Sequence, residues 1–287
     1  MQARRWMMLR VLLNNFHEGN PDAILEKLPP EEAQKASECR SSLQDYSPAI
    51  AMPIEILNKI HYTWLEPIFQ KIPESLHAFI LAALPVPQAA KLGKLLNKAP
   101  VENALGAPVK GFFLDLFYRQ FKNPEVLPLE FLPKSPLDVL MNISKEELVE
   151  LIDLLGVYDL AEEIRHIIDK NVLKTLYLCL SPKKQQFLRI CLHHKDKLTS
   201  PKLELEHWQG DRQKLELLLH RRGLHRLGKA LAGQHADFVW HLTHKLDTGR
   251  GEALAKYYTK EEIPGVTPAL IQQVFNVLNF LNKKSDS

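Results

Sequence analysis

The sequence feature that most constrains the fold is a pair of short amphipathic segments near the C-terminus. In the first segment, Leu224, Leu227 and Leu231 are three and four residues apart, which places them on one face of a helix. Gly233 is positioned to end this helix, because a residue without a Cβ atom adopts the left-handed cap conformation at little cost. A second predicted helix begins near Asp237. Helices this short are not stable alone in water, so the pair must pack against other helices.

The same apolar pattern occurs twice further upstream. In each copy, positions are counted from the leucine that precedes the turn, which we call the origin. Apolar residues lie four positions before the origin, and eight and eleven positions after it. The origins are 96 and 51 residues apart, which predicts three related units with insertions and not a regular array. The three copies are Leu231 with Leu227, Val239 and Leu242; Leu180 with Leu176, Leu188 and Cys191; and Leu84 with Ile80, Leu92 and Leu95.

The composition favours helices throughout the chain. Apolar residues make up 45% of the sequence, which is enough to form buried cores, and only 12 glycines are present. Leu, Lys, Glu and Ala dominate, and β-branched residues seldom alternate as they do in strands. We therefore predict an all-α fold of stacked, armadillo-like helical hairpins in two or three modules.

Proline residues indicate where these modules begin and end. Four prolines between Pro124 and Pro136 are incompatible with a helix interior, so the main boundary is predicted there. In the second module, Ser144 and Glu147 have the spacing of a capping box. Gly156 is predicted to end that helix and Asp159 to cap the next one. The predicted segments are an N-terminal helix and linker arm (1–50), a first helical module (51–123), a proline-rich linker (124–136), a second module (137–196) and a C-terminal module (197–287).

The N-terminal 20 residues and the three cysteines bear on the compartment. Arg10 interrupts the apolar run of the first helix, and no small-residue cleavage site follows closely, so a signal peptide is not expected. The apolar stripe of that helix suits core packing better than a membrane interface. The cysteines form no CxxC pair, which is typical of a reducing compartment. We expect a cytoplasmic protein.

The sequence contains no recognisable catalytic or metal-binding constellation. His241 and His244 are one helical turn apart, but no carboxylate stands in register to complete a metal site. A solvated or interface helix is the preferred interpretation of this pair. Because no nucleophile or acid/base group is evident either, we predict a protein without enzymatic activity, cofactor, metal or small-molecule substrate.

A basic cluster lies just before and on a predicted helix of the C-terminal module. Ten Lys and Arg residues stand against five Asp and Glu residues between Asp211 and Lys260. A solvated surface is the simplest interpretation of such a cluster, and contact with an acidic partner is the alternative. Aromatic residues are not interleaved with the cluster, which makes nucleic acid the less favoured partner. The cationic candidates for partner binding are Arg221, Arg222, Arg226, Lys229, Arg250 and Lys256.

Segments of both halves resemble the flagellar motor switch protein FliG family. In that family a Leu/Ala-rich helix ends in a small residue, a long charged helix follows, and a Gly-Pro-Val turn leads to the last helix. Here Leu227–Gly233 resembles the first part, Ala236–Tyr258 the second, and Pro264-Gly265-Val266 the turn with its first two residues exchanged. Pro73–Ala90 is similar to the family's middle domain, including the Gln88-Ala89-Ala90 that opens a helix. The likeness covers about three-quarters of the chain.

The resemblance implies a role and adds candidate contacts. Pro73 and Glu74 stand where the family's middle domain binds its ring partner. Lys256 and Tyr257 stand where the family carries acidic residues that face the stator, so a torque generator is not implied. The implied role is a non-catalytic scaffold or adaptor on the cytoplasmic side of a flagellar-type or type III secretion basal body. Its partners would be ring or export proteins, which would bring it to the inner membrane peripherally, and self-association is left open. The alternative function is that of a helical protein that binds nucleic acid through its basic C-terminal face.

Overall fold

The computed structural model of the protein describes residues 6, 8–10, 12–13, 22–38, 57–101, 105–121, 126–193, 198, 203, 205 and 208–282. Every regular element within these residues is a helix, which confirms the predicted all-α class. The chain divides into two compact units, Met1–Pro133 and Lys134–Ser287.

The N-terminal segment contributes to a small core in the first unit. Trp6 and Leu13 are buried together with Leu25 and Ala36. Trp6 and Leu13 are therefore used for core packing, which was the preferred interpretation of their stripe, whereas Leu12 on the same stripe is 47% exposed. Most of the helix predicted over residues 1–20 and much of the predicted linker arm lie outside the described residues.

Six α-helices of the first unit have both ends within the described residues. Pro67 lies inside the third of them, and that helix ends two residues later. The helices are α1 (Asp22–Leu25), α2 (Pro30–Glu38), α3 (Tyr62–Phe69), α4 (His77–Ala83), α5 (Val86–Leu96) and α6 (Ala107–Phe121).

The core of this unit forms where α4 packs on α6 and where α3 packs on α5 and α6. The Phe69 and Phe117 rings, with centroids 5.1 Å apart, join α3 to α6. Leu65, Ile80 and Leu92 are fully buried beside them. The apolar faces read from the sequence are thus the faces that these helices bury.

The second unit contains eight α-helices within its described residues. The capping box at Ser144 is confirmed, because the Glu147 backbone N–H donates to Ser144 Oγ at 3.1 Å and the Ser144 N–H donates to Glu147 Oε2 at 2.6 Å. The helices are α7 (Val139–Asn142), α8 (Lys145–Ile164), α9 (Lys170–Cys179), α10 (Pro182–His193), α11 (Arg212–Ala230), α12 (Ala236–Lys245), α13 (Thr248–Tyr257) and α14 (Thr267–Asn282).

Four local predictions for this unit are wrong. Gly156 does not end a helix and Asp159 does not cap one, because both lie inside the 20-residue helix α8. The segment that begins at Gly223 is not a short helix but the second half of the 19-residue helix α11. The segment Ala236–Tyr258, expected from the family resemblance to be one long helix, is two helices that meet at Leu246-Asp247.

A two-residue corner recurs between successive helices of both units. Its first residue is apolar, extended and C-terminal to a helix, and its second residue caps the next helix. The Ser181 and Asp247 side chains each accept a hydrogen bond from a backbone N–H three residues on, at 3.3 and 3.2 Å. Ser144 does the same, whereas Pro85 fills this position before α5. The corners are Leu84-Pro85, Ile143-Ser144, Leu180-Ser181 and Leu246-Asp247.

These corners correct the internal repeat read from the sequence. Leu180 corresponds to Leu246, which lies 66 residues further on, and not to Leu231. Leu231 is the first residue of a five-residue connection, 231–235, and has a helical backbone, with ψ −7°. The repeating unit of the second unit is therefore a triplet: α8-α9-α10 corresponds to α11-α12-α13, and the first and third helices of each triplet are in contact.

The apolar template nevertheless predicts burial well. Of its twelve positions, all are buried except Leu95, which is 50% exposed near the end of α5. The pattern thus identified the inward faces of the helices. The assignment of helices to equivalent hairpins was wrong for the copy at Leu231.

Candidate protein-interaction site

The first helices of the two triplets, α8 and α11, approach so closely that their backbones touch. A Cβ atom added to Gly223 would lie 1.7 Å from the Ile152 carbonyl oxygen, and one added to Gly156 would lie 2.0 Å from the Leu219 carbonyl oxygen. No side chain larger than hydrogen fits at either position. Gly156 is therefore required for helix packing, and this explains why it lies within α8 and does not end it.

Charged residues flank both glycines at the same spacing. On α8, Asp153 and Asp159 lie three residues before and after Gly156. His220 and Arg226 lie likewise around Gly223 on α11. His220 Nδ1 is 2.6 Å from Asp153 Oδ1, Arg226 Nε donates to Asp159 Oδ1 at 2.9 Å, and both pairs are 67 residues apart. The constant separation shows that α8 and α11 run in the same direction.

Arg226 lies at the centre of a buried polar cluster. It is only 4% exposed and binds Asp159 on α8 and Gln273 on α14, both of which are also buried. Its guanidinium group lies over the Tyr158 ring, 5.4 Å from the centroid. Arg226 was predicted to be part of a basic surface, and that prediction is wrong: its charge is satisfied within the core and holds three helices together.

Arg250 is also used within the unit. Its Nε donates to His220 Nε2 at 3.0 Å, so His220 must carry its proton on Nδ1 and donate it to Asp153. Arg250 also binds Asp247, the residue that caps α13. Burial acts to raise the pKa of Asp247, but the hydrogen bonds and charge of Arg250 outweigh it and the pKa lies below its usual value. The predicted partner contact at Arg250 is thus already engaged.

The solvent-facing ridge of α11 carries the remaining residues of the basic cluster. Leu217, Arg221, His225 and Lys229 follow one another at intervals of four, which forms a continuous ridge along a helix. Leu217 is 59% exposed and Arg221 is exposed, while His225 and Lys229 are half-buried. The Tyr257 ring of α13 packs edge-on against His225, with centroids 4.9 Å apart. We call these five residues the α11 outer face.

The α11 outer face has a positive local potential. Burial lowers the pKa of His225, and the neighbouring charges of Lys229, Arg222 and Arg226 lower it further, against the opposing effect of Asp159. Arg222 extends toward the same carboxylate, with its Nε 3.9 Å from Asp159 Oδ2. Burial is the main cause of the lowered pKa, and Lys229 is the largest of the cationic contributions, so an anion placed beside Arg221 and Lys229 would be favoured.

The other predicted contacts lie on separate surfaces. Lys256 is exposed beside Tyr257 in the chain. Pro73 and Glu74 are exposed at the start of the 3₁₀ turn before α4, in the first unit. Glu74 forms an ion pair with Lys98, whose hydrogen bond and charge lower the pKa of the Glu74 carboxyl. The structure therefore brings Arg221, Lys229 and part of α13 together within the second unit, whereas Pro73 and Glu74 belong to the first unit.

An exposed aromatic cluster on the first unit was not anticipated from the sequence. Phe79 on α4 stacks on Phe113 on α6 at 5.4 Å, and Phe112 packs edge-on against Phe113 at 5.5 Å. Phe112 is 64% exposed. The signal that reveals this cluster is the second apolar stripe of α6, through Val109, Phe112 and Leu116, on the side away from the buried Phe117. Exposed apolar patches of this kind often mark interaction surfaces.

The histidine pair of α12 is used for packing. His244 stacks on the Trp240 ring at 4.0 Å, and its Nδ1 is 2.7 Å from the Trp240 carbonyl oxygen. Burial lowers the pKa of His244 to about 4. Across the described part of the chain, no three His, Cys, Asp or Glu side chains are grouped in a way that could hold a metal ion. Nor does any helix described here combine the length and apolar character needed to cross a bilayer.

Comparison of the chain with protein-family models, with curated proteins and with solved structures finds no match to any of them. The resemblance to the switch-protein family therefore depends on the sequence segments alone.

Proposed function

We propose that the protein is a non-catalytic helical adaptor that binds another protein through the α11 outer face. The observation that carries this proposal is the composition of the α11 outer face. It combines the exposed apolar side chains of Leu217 and Tyr257 with the cations Arg221 and Lys229. Arginine and tyrosine are enriched at protein interfaces, where they anchor the partner. The aromatic cluster around Phe112 supplies a second exposed surface on the other unit, as an adaptor requires.

The size of the charged area favours a protein over nucleic acid. Specific duplex binding uses about 6–10 phosphate contacts, and most of its affinity comes from them. Arg226 and Arg250 are engaged inside the unit and Arg222 extends toward the buried Asp159, which leaves Arg221 and Lys229 on the α11 outer face. Two cations beside exposed apolar side chains suit an interface with an acidic protein segment better than a phosphate backbone.

The narrower proposal places this adaptor in a flagellar-type or type III secretion basal body, on its cytoplasmic side. The resemblance of Leu227–Gly233, Pro264–Val266 and Pro73–Ala90 to the switch-protein family supports it. The two helices α12 and α13 depart from the single long helix that the family would have there. Torque generation is therefore not part of the proposal.

Site-specific photocrosslinking in the cells that naturally make the protein tests both the adaptor proposal and the narrower proposal of a basal-body component. Leu217 is replaced by p-benzoylphenylalanine, and Leu178 on α9, also strongly exposed, is replaced in a matched control. We expect a discrete crosslinked protein at Leu217 and none at Leu178, and identification of a ring or export component supports the narrower level. Equal crosslinking at the two positions, or none at Leu217, would contradict an adaptor that uses this face.

A further inference from the structure

The geometry of the α11 outer face restricts the shape of its partner. Residues four apart on a helix are separated by about 6 Å along the axis. Leu217, Arg221, His225 and Lys229 therefore present one apolar and three basic or titratable groups in a line about 18 Å long. A second helix that lies along this ridge presents its own side chains at the same interval of about 6 Å. Alternate side chains of an extended strand are about 6.7 Å apart, so a strand is out of register by about 2 Å at the end of the ridge.

Resting on the proposed function, we infer that the α11 outer face binds an acidic amphipathic helix of a partner protein. Carboxylates of that helix pair with Arg221 and Lys229, because an arginine fork and a lysine ammonium group each form charge-assisted hydrogen bonds with a carboxylate. Its apolar residues pack on Leu217 and against the Tyr257 ring. Charge complementarity selects this occupant: the ridge carries no carboxylate of its own, and the neighbouring Asp159 is buried under Arg222 and Arg226.

Binding of such a helix is coupled to proton uptake at His225. In the free protein, Lys229, Arg222 and Arg226 on α11 oppose protonation of the imidazole, Asp159 on α8 favours it, and the Tyr257 ring of α13 covers one edge. A carboxylate placed between Arg221 and Lys229 neutralises part of this positive potential. The pKa of His225 therefore rises on binding, and the complex becomes tighter as the pH falls through that raised value toward the lower pKa of the free protein.

The test is an NMR titration of the full-length protein with a defined probe peptide. The probe is an acetylated, amidated helical peptide of Glu, Leu and Ala, with Glu and Leu placed at intervals of four, and its control has Gln for every Glu. We expect the Glu peptide to shift the His225 ring resonance and raise its titration midpoint, and the Gln peptide to bind at least about tenfold more weakly. The ring resonance is assigned from its loss in His225→Gln.

Two variants separate the face from the rest of the molecule. Arg221→Glu should weaken the Glu peptide at least about tenfold, whereas Lys174→Glu, an equal charge change at an exposed position of α9, should leave it unchanged. Equal affinity for the Glu and Gln peptides would overturn the inference, as would a His225 midpoint that does not move. Binding of a 20-base-pair DNA duplex, or of vesicles containing phosphatidylserine, without binding of the peptide would also overturn it.

These outcomes are distinguishable from failure of the adaptor proposal. If Leu217 crosslinks to a partner while the Glu and Gln peptides bind equally, the adaptor proposal holds and the acidic-helix inference is wrong. If the Glu peptide binds but no cellular protein crosslinks at Leu217, the adaptor proposal fails although the surface chemistry is as inferred.

Discussion

The α9–α10 corner and the α8–α11 crossing lie in the same unit, yet they are built in different ways. At the corner, an extended Leu180 ends one helix and Ser181 caps the next, so two adjacent residues turn the chain. At the crossing, Gly156 and Gly223 allow two backbones to touch, and the contact joins residues more than 60 positions apart.

The difference shows which contacts a local pattern can specify. A corner needs one apolar and one capping residue, and the same pair recurs at Leu84-Pro85 and Leu246-Asp247. The crossing needs one glycine on each helix, with opposite charges on either side of the two glycines. The sequence of one helix does not indicate the contact unless the other helix is known to be its neighbour. Corners therefore determine where helices turn, while the crossing determines which helices become neighbours.

Removal of Arg226 should break the crossing most severely. We expect Arg226→Ala to destabilise the second unit by about 3–5 kcal/mol, because it leaves the buried Asp159 carboxylate without its partner. Urea unfolding, with hydrogen exchange of α8 and α11 as the local readout, measures the loss. The double variant Asp159→Leu with Arg226→Met should recover most of the stability. If Arg226→Ala unfolds at the same urea concentration as the natural sequence, the buried cluster does not hold these helices together.

A methyl group at the crossing should separate the two helices. We expect Gly223→Ala to cost about 3 kcal/mol, at the upper end of overpacking effects, because a backbone oxygen blocks the new Cβ atom. Gly111→Ala on α6 is the matched control: nothing lies within 4 Å of the added Cβ atom there, and a gain of about 0.5–1 kcal/mol is expected. Thermal unfolding compares the two, and equal melting temperatures would disprove the close approach of α8 and α11.

Acid should destabilise the second unit through His244, two residues before the Leu246 corner. Its folded pKa of about 4 lies below the ordinary value of 6.5, so the folded state resists protonation. Stability is therefore complete above pH 6.5 and falls as the pH drops toward 4, by up to about 3 kcal/mol. Urea midpoints at pH 7 and pH 4.5 should differ less for His244→Phe than for the exposed control His166→Phe. An unchanged difference in His244→Phe would exclude this cause.

Loss of a single cap should affect a corner only slightly. We expect Ser144→Ala to destabilise the second unit by about 1 kcal/mol, because the Glu147 backbone N–H loses its acceptor. Chemical denaturation of the full chain measures this effect beside Arg226→Ala. A cost as large as that of the crossing variants would show that corners and crossing are not independent.

Much of the helical structure was accessible to sequence analysis, because it depends on neighbouring residues. The turns at Leu84 and Leu180 and the capping box at Ser144 are local, and their signals were correctly interpreted. The inward faces were also correct, apart from Leu95. Gly156 and Asp159 were misassigned for a physical reason: a glycine or aspartate within a helix has the same local signal whether it ends the helix or packs against a distant one.

The candidate site shows the same limit. Arg221 is exposed, as its place in the basic cluster predicted, and Lys229 is half-buried. Arg226 and Arg250 were grouped with them although both are bound within the unit. All four are cations on apolar-patterned helices, and spacing alone does not tell a solvated cation from a buried one. The contribution of Tyr257 to the α11 outer face depends on α13 packing against α11, which no local pattern predicts.

The sequence by itself determined an all-α protein, the inward face of most helices and the caps that separate them, because these properties depend on residues within a few positions of one another. Only the tertiary structure decided that α8 and α11 lie side by side, that Arg226 is buried between them and that Arg221 is left on the outer face. The physical reason is that two glycines and two opposite charges stabilise a crossing only when both helices are present together.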